Sequence, residues 1–366
     1  MYSGVMSMIQ PEDEAFKLYR INVADFAAIA GLAEDYLYEE LREVPVGLKS
    51  KPLVIEGHYE AGDFLNDQSD LDSGSMKSRN LYAITGITGK IGCVLARTLL
   101  AANQPVRAVV RDADKGAVWA AQGCEVALAE MHDEVALTAA FEGAEAAFVL
   151  PPPNFDPAPG FPEARAFATA TRNALVSSNI SKVVYLSTIG AQATEENLLT
   201  QHTIFEGIFR TLPIAVTFFR PAWFMENSSW DVAPARNNGV IPSFLQPLDK
   251  PVPMVATIDI GYMAARLLRE TWTGHRIVEL EGPLRVTPHE IATTFSKVLR
   301  RPVRAEVVPH ETWKRLFESQ GVKNPGPRIR MLDGFNEGWI DFEGASIKGS
   351  TEIETVLRKL VEQQSN

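Results

Sequence analysis

At 366 residues, 46% hydrophobic and 22% charged, the chain has material for one large domain or two ordinary ones with a sizeable core. No apolar run reaches the length needed to cross a bilayer, and the first residues lack a basic-then-apolar leader, so the cytoplasm is the expected location. The only cysteines, Cys93 and Cys124, form no CxxC and read as small buried apolar residues, not as a disulfide framework.

The net charge of −11 is unevenly spread: residues 1–75 hold 15 acidic and 5 basic side chains, and the remainder holds 31 and 30. Neither part has a basic stripe, which argues against nucleic acid and anionic membrane as partners. Within the front part, Phe26, Ile29, Ala30, Ala33, Leu37 and Leu41 keep helical spacing behind Asn22 as a cap, and predict one amphipathic helix. A polar, acidic run from Asn66 to Ser75 then leads to Met76. The expected organisation is an acidic segment over 1–75, an extension or a fusion, followed by a separate body over 76–366.

From Leu81 to Gly92 an apolar run gives way to three glycines, Gly86, Gly89 and Gly92, and then to the helical pattern Ile91, Val94, Leu95, Leu99. This is how a strand, tight turn and helix read. The first glycine lets the chain turn, the second leaves room for a pyrophosphate against bare backbone, and the third lets helix and strand pack closely. Further apolar runs follow at Pro105 to Arg111, Glu125 to Ala129, Ala144 to Leu150, Lys182 to Ser187 and Ile214 to Phe219. Helical stretches such as Glu134 to Phe141 and Pro162 to Ser178 separate them. Such alternation predicts a parallel sheet covered on both faces. After Pro221 the pieces shorten: strands near Val252 to Ala256 and Arg276 to Leu280, helices from Ile258 to Glu270 and Pro288 to Leu299. These are expected to form a discontinuous cap over the carboxyl ends of the strands. The fold class is therefore α/β, a Rossmann-like doubly wound parallel sheet with a small α+β cap and an acidic N-terminal extension.

The second strand ends Val109-Val110-Arg111-Asp112, with Lys115 one turn on. Arg111 offers a planar fork to a 2′-phosphate and Lys115 a second positive charge, which favours NADPH, with NADH possible. The other reading leaves Arg111 as a solvated strand-end charge and puts Asp112 on the ribose. Ser187 and Thr188 close the fifth strand and are candidate donors to a substrate oxygen, or simply turn formers. Trp223, Phe224 and Met225 follow a strand end directly and are candidates for a flat apolar pocket, with core packing as the alternative. The His, Asp and Glu residues show no metal-ligand spacing, and no Ser/His/Asp order supports a hydrolase.

Four stretches carry a resemblance: Thr85-Gly-Ile-Thr-Gly-Lys-Ile-Gly92, Val183-Val-Tyr-Leu-Ser-Thr-Ile-Gly-Ala191, Phe219-Arg-Pro-Ala-Trp-Phe-Met-Glu-Asn227 and Asp259-Ile-Gly261. Together they resemble the NmrA-like branch of atypical short-chain dehydrogenases, from about Asn80 to beyond Phe342. That branch includes NADPH-dependent quinone and triphenylmethane-dye reductases and non-catalytic redox sensors. The resemblance implies that Gly86, Thr88, Gly89, Lys90, Ile91 and Gly92 hold the pyrophosphate. It also sets Glu130 and Met131 beside the adenine, and Leu150, Pro151 and Pro152 along the nicotinamide ribose. The Tyr-x-x-x-Lys pair of ordinary relatives is missing: Leu198 stands at the tyrosine position and His202 at that of the lysine. His202 can hydrogen-bond the ribose there or be a histidine without a role. Trp223, Phe224, Met225 and Asn227 would line the acceptor pocket, with Ser187, Thr188 and His202 as the chemistry-bearing side chains. The expected activity is an oxidoreductase delivering hydride from NADPH to a small quinone-like or other aromatic acceptor, in a monomer or homodimer. Its rival is a non-catalytic NADP-binding sensor, and an isomerase is a weaker third.

Overall fold

The computed structural model describes residues 17–21, 53–57 and 80–364. In the front part, Lys17–Ile21 (β1) pairs antiparallel with Leu53–Gly57 (β2). These two strands belong to one compact unit, and Asn80–Leu99 with Gln104–Asn366 form the other, the body. The helix expected over Phe26 to Leu41 and the run Asn66 to Ser75 lie outside the described residues.

Short apolar segments with both faces covered make the body. Tyr82–Thr85 (β3), Val106–Val110 (β4), Glu125–Leu128 (β5), Ala146–Val149 (β6), Lys182–Leu186 (β7) and Ala215–Pro221 (β8) are the six expected strands. They join His275–Glu281 (β12) and Ile347–Lys348 (β14) in an eight-stranded sheet of order β14-β12-β8-β7-β6-β3-β4-β5, with every pairing parallel. Helices Lys90–Ala101 (α1), Ala113–Ala120 (α2), Glu134–Phe141 (α3), Pro162–Ser177 (α4) and Thr200–Phe209 (α5) connect the first six strands. The strand order reverses beside β3, because the chain runs outward through β4 and β5 and then returns to add β6 on the other side. Open α/β sheets bind ligands at such a switch point, outside the carboxyl ends of the strands.

One expectation is corrected here. The strand near Arg276 to Leu280 is not part of a cap: it is β12, which extends the main sheet with Val278 beside Phe219 and Leu280 beside Pro221. Helix Thr257–Arg269 (α7), also assigned to the cap, lies against β6, β7 and β8 as the crossover leading to β12. The physical reason is that a parallel strand can be added only through a crossover, and α7 is long and apolar enough on one face to cover the sheet. Gly261 brings α7 close to α1: a Cβ there would come within 2.6 Å of Val94 Cβ and 3.1 Å of the Ile91 carbonyl oxygen.

The cap comes from the remaining pieces. Trp223–Phe224 (β9) pairs with Met254–Val255 (β11), and Val240–Ser243 (β10) with Arg304–Val307 (β13). Helices Val232–Asn238 (α6), Pro288–Leu299 (α8), Trp313–Ser319 (α9), Gly326–Glu337 (α10) and Ile353–Gln363 (α11) surround a core that includes Phe295, Trp313, Phe317 and Leu357. A capping box starts α8: the Glu290 N–H donates to Thr287 Oγ1 and the Thr287 N–H returns to Glu290 Oε2.

Gly261→Ala is expected to destabilise the body by about 1–3 kcal/mol, because α7 must move off α1 to admit a methyl group. Chemical denaturation checks this, and an unchanged midpoint would refute the close approach.

Candidate active site at the carboxyl ends of the strands

The glycine turn sits at the switch point. Gly86 has a left-handed φ of 66°, and the turn from Gly86 to Gly89 is closed by the Gly89 N–H donating to the Gly86 carbonyl at 3.0 Å. A Cβ on Gly92 would fall 2.7 Å from Ile87 Cα, so the helix can start this close to the turn only with glycine there. A Cβ on Gly89 would meet only the Gly86 oxygen, at 3.3 Å, and Thr88, Gly89 and Lys90 are exposed. Helix α1 begins immediately after, with no acidic residue in its first turn. Its first N–H groups lack intrahelical acceptors, so the turn is chemically suited to a phosphate-bearing ligand. Ile91 points its side chain into the core and offers only backbone.

Thr85 pins the turn to the neighbouring strand: its hydroxyl donates to the Phe148 carbonyl at 3.2 Å and accepts from the Leu150 N–H at 2.8 Å. Leu150 is thereby held beside Gly86, with its side chain against the place where a Gly86 Cβ would be, and Pro151 and Pro152 follow it in the chain. At the end of β4, Asp112 caps α2 by accepting from the Asp114 N–H at 2.8 Å and the Lys115 N–H at 3.3 Å. Arg111 and Lys115 are exposed, and among the described residues neither side chain has a hydrogen-bond or ion-pair partner. Glu130 is exposed at the end of β5. Met131 corrects an expectation: only 6% exposed, its side chain packs in the sheet core with Leu137 and Phe141 and is not free to flank a ring.

The end of β7 carries two separate arrangements. Ser187 is turned into the protein, where its hydroxyl donates at 2.6 Å to Glu206 Oε1, so its role as donor to a substrate is corrected to a structural one. Glu206 in turn receives both arms of the buried Arg220, Nε at 2.8 Å and Nη2 at 2.7 Å. Thr188 is half-buried, with no side-chain partner among the described residues. Two residues before Ser187, on the same strand face, Tyr185 Oη lies 2.7 Å from His202 Nδ1, with the tyrosine ring stacked on Phe205. Burial pushes the His202 pKa down to about 4 against a smaller opposite pull from Glu206, and burial raises the Tyr185 phenol well above its usual value. Both rings are thus neutral at neutral pH. Among the described residues His202 Nε2 has no hydrogen-bond partner. Leu198, at the place of the missing tyrosine, is buried.

Beyond β8, Trp223 and Phe224 are half-buried in β9, and Trp223 meets Phe335 of α10 edge-on at 5.1 Å. Met225, 1% exposed, belongs to the cap core and stands against Gly282, which corrects its assignment to the pocket. Asn227 is half-buried in the short 3₁₀ turn Met225–Trp230. Asp231 follows, and burial pushes its carboxyl up to about 7. Among the described residues no group of three or more His, Cys, Asp or Glu is placed to hold a metal ion, and no helix is long and apolar enough to cross a membrane.

Residues 78–338 match the NmrA-like family, well over half of the chain. The chain belongs to that family. It is 26% identical over 285 residues to quinone oxidoreductase 2 of Escherichia coli K12, covering 77% of this chain and 93% of that protein. It is also 26% identical to an NAD(P)H azoreductase of Xenophilus azovorans, over 70% and 85% of the two chains. Among solved structures, an NADPH-dependent quinone oxidoreductase of E. coli in complex with NADPH superposes with a TM-score of 0.65 at 22% identity, over 78% of this chain and all of that one. The last comparison concerns fold, and it agrees with the sheet described above. The NmrA-like match ends before the Phe342 boundary expected from sequence.

In sequence, Tyr185 and Arg220 carry no signal of a role, and nothing marks Glu206 as their neighbour. Seventeen residues separate Tyr185 from His202, and only the packing of α5 on β7 brings them together. Because its pKa is depressed from 6.5, His202 contributes stability that is complete above that value and lost as pH falls toward 4. Histidine-selective NMR is expected to show this ring neutral down to about pH 5, and titration near 6.5 would contradict its burial.

Proposed function

We propose that this chain is an NAD(P)H-dependent oxidoreductase, with NADPH preferred, that reduces flat conjugated acceptors such as quinones or dyes. The observation that carries the reading is the arrangement at the switch point: a glycine turn and uncapped helix start, flanked by two exposed cations beside an aspartate already committed to capping. Gly86, Thr88, Gly89, Lys90, Ile91 and Gly92 cradle the pyrophosphate, mainly through backbone. Arg111 and Lys115 take the 2′-phosphate, and Glu130 borders the adenine. Leu150, Pro151, Pro152 and His202 position the nicotinamide ribose. The quinone and azo-dye activities named for the two relatives support the acceptor class.

When bound, the reduced nicotinamide supplies hydride, and the residues around it supply placement. In the tautomer where the Tyr185 hydroxyl donates to Nδ1, a neutral His202 carries its hydrogen on Nε2 and can donate from there; in the other, Nδ1 donates to Tyr185 and Nε2 accepts. Thr188 is the remaining hydroxyl at the strand end, and Trp223, Phe224 and Asn227 form one wall of the acceptor pocket. Quinones and dyes spread incoming charge over a ring system, so the missing tyrosine of ordinary relatives is tolerable. Sustained NADPH oxidation across a panel of quinones and dyes tests the reading. Flat traces together with tight NADPH binding would make the protein a sensor.

Gly89→Val is expected to abolish dinucleotide binding in a folded protein, because a side chain there fills the space the pyrophosphate needs. Isothermal titration with NADPH checks it, and unchanged affinity would remove the cradle. Arg111→Ala is expected to weaken NADPH binding roughly ten- to hundredfold, the worth of a charge-assisted hydrogen bond, and to leave NADH almost unchanged. Lys115→Ala follows the same pattern more weakly, and high salt penalises NADPH more than NADH. Equal losses for both cofactors would show that Arg111 does not read the phosphate.

A further inference from the structure

Arg328, in the first turn of α10, is half-buried, and among the described residues its guanidinium has no hydrogen-bond or ion-pair partner. It lies over the Phe317 ring at 4.3 Å and near the Trp230 ring at 5.8 Å. Arginines removed from water are ordinarily paired. In this protein Arg107 meets Glu125, Arg220 meets Glu206, Arg276 meets Glu270 and Arg330 meets Asp333. Burial lowers the Arg328 pKa.

Its position relates it to the acceptor pocket. The preceding residue, Pro327, accepts the Leu198 N–H at 2.8 Å, and Leu198 is four residues before His202. Farther along α10, Phe335 packs on Trp223, while Trp230 ends the 3₁₀ turn that contains Asn227. The unpaired cation is therefore carried by the cap helix that touches both the loop before His202 and the aromatic wall after β8. A guanidinium with apolar rings beneath it and no internal counter-charge is suited to an aromatic ligand bearing an anionic group: the ring lies against Trp230, and the fork takes the oxygens.

We propose that Arg328 is a specificity-determining residue that binds a carboxylate or sulfonate carried by the aromatic acceptor, so that acidic quinones and dyes are the substrate class. This rests on the reductase reading for the chemistry but not for the binding. The test compares 1,4-naphthoquinone with its 2-sulfonate and 2-carboxylate, in wild type, Arg328→Met and Arg328→Lys, each shown to be folded by its melting temperature and its NADPH affinity. In Arg328→Met, KM for both anionic quinones is expected to rise about ten- to hundredfold while the neutral quinone changes less than about twofold. Arg328→Lys keeps the charge without the fork and falls between, and added salt raises KM only for the anionic acceptors. A loss confined to one anion assigns the site to that oxyacid. Equal losses for neutral and anionic quinones would make Arg328 a packing residue and overturn the proposal, as would no loss at all. If wild type turns over neither kind, the reductase reading fails. Calorimetric titration with naphthalene-2-sulfonate then decides the site: binding abolished by Arg328→Met upholds it, and no binding or unaltered binding overturns it.

Discussion

The site depends on one buried charge pair. Arg220 on β8 is 1% exposed and directs two of its nitrogens at Glu206 on α5. Its third arm reaches Gln192 and makes a short contact with Glu343 in the C-terminal segment. Glu279 on β12 lies 3.8 Å away and itself accepts the N–H groups of Glu343 and Gly344 at 3.0 and 2.9 Å. Removing one partner of such a pair costs about 3–5 kcal/mol because the other charge is left buried and uncompensated. The pair therefore locks α5, two sheet strands and the C-terminal loop into one register. His202 is carried by the same helix, one turn before Glu206, so its position against Tyr185 follows from that lock.

The two halves of the site are held by different physics. On the sheet side the turn is shaped by sterics: only glycine fits at Gly86 and Gly92, and Thr85 bridges two strand ends through its hydroxyl. On the cap side the attachment is polar. Asp156, in the loop after β6, accepts the Lys323 and Asn324 N–H groups at 2.9 and 2.7 Å, which hold its carboxyl below the usual range. Asp259 accepts the Thr351 N–H at 2.9 Å and its hydroxyl at 2.8 Å. The Asp-Ile-Gly stretch thus has a physical account, with Asp259 anchoring the C-terminal segment and Gly261 admitting α1.

Where local chemistry decides structure, the sequence was readable. The glycine turn, the first six strands and the helix from Pro288 to Leu299 were legible because strand runs, turn glycines and caps act over a few residues. The strand His275–Glu281 was misplaced because its half-polar pattern suits a cap strand as well as a near-edge strand of the main sheet, and only pairing with β8 separates the two. Ser187, Met225 and Met131 stood at the right strand ends, but a strand end does not tell which way a side chain faces. Glu206, the cap core and the sheet core respectively claim them.

What the sequence by itself determined is the doubly wound sheet, the glycine turn from Gly86 to Gly92 that opens α1, and the NmrA-like family. Each is written in residues close along the chain. Only the tertiary structure decided that Asp112 is a helix cap, that His202 is a half-buried neutral ring hydrogen-bonded to Tyr185, and that Arg220 is satisfied while Arg328 is not. Those properties depend on burial and on partners far away in sequence, which pattern and spacing do not encode.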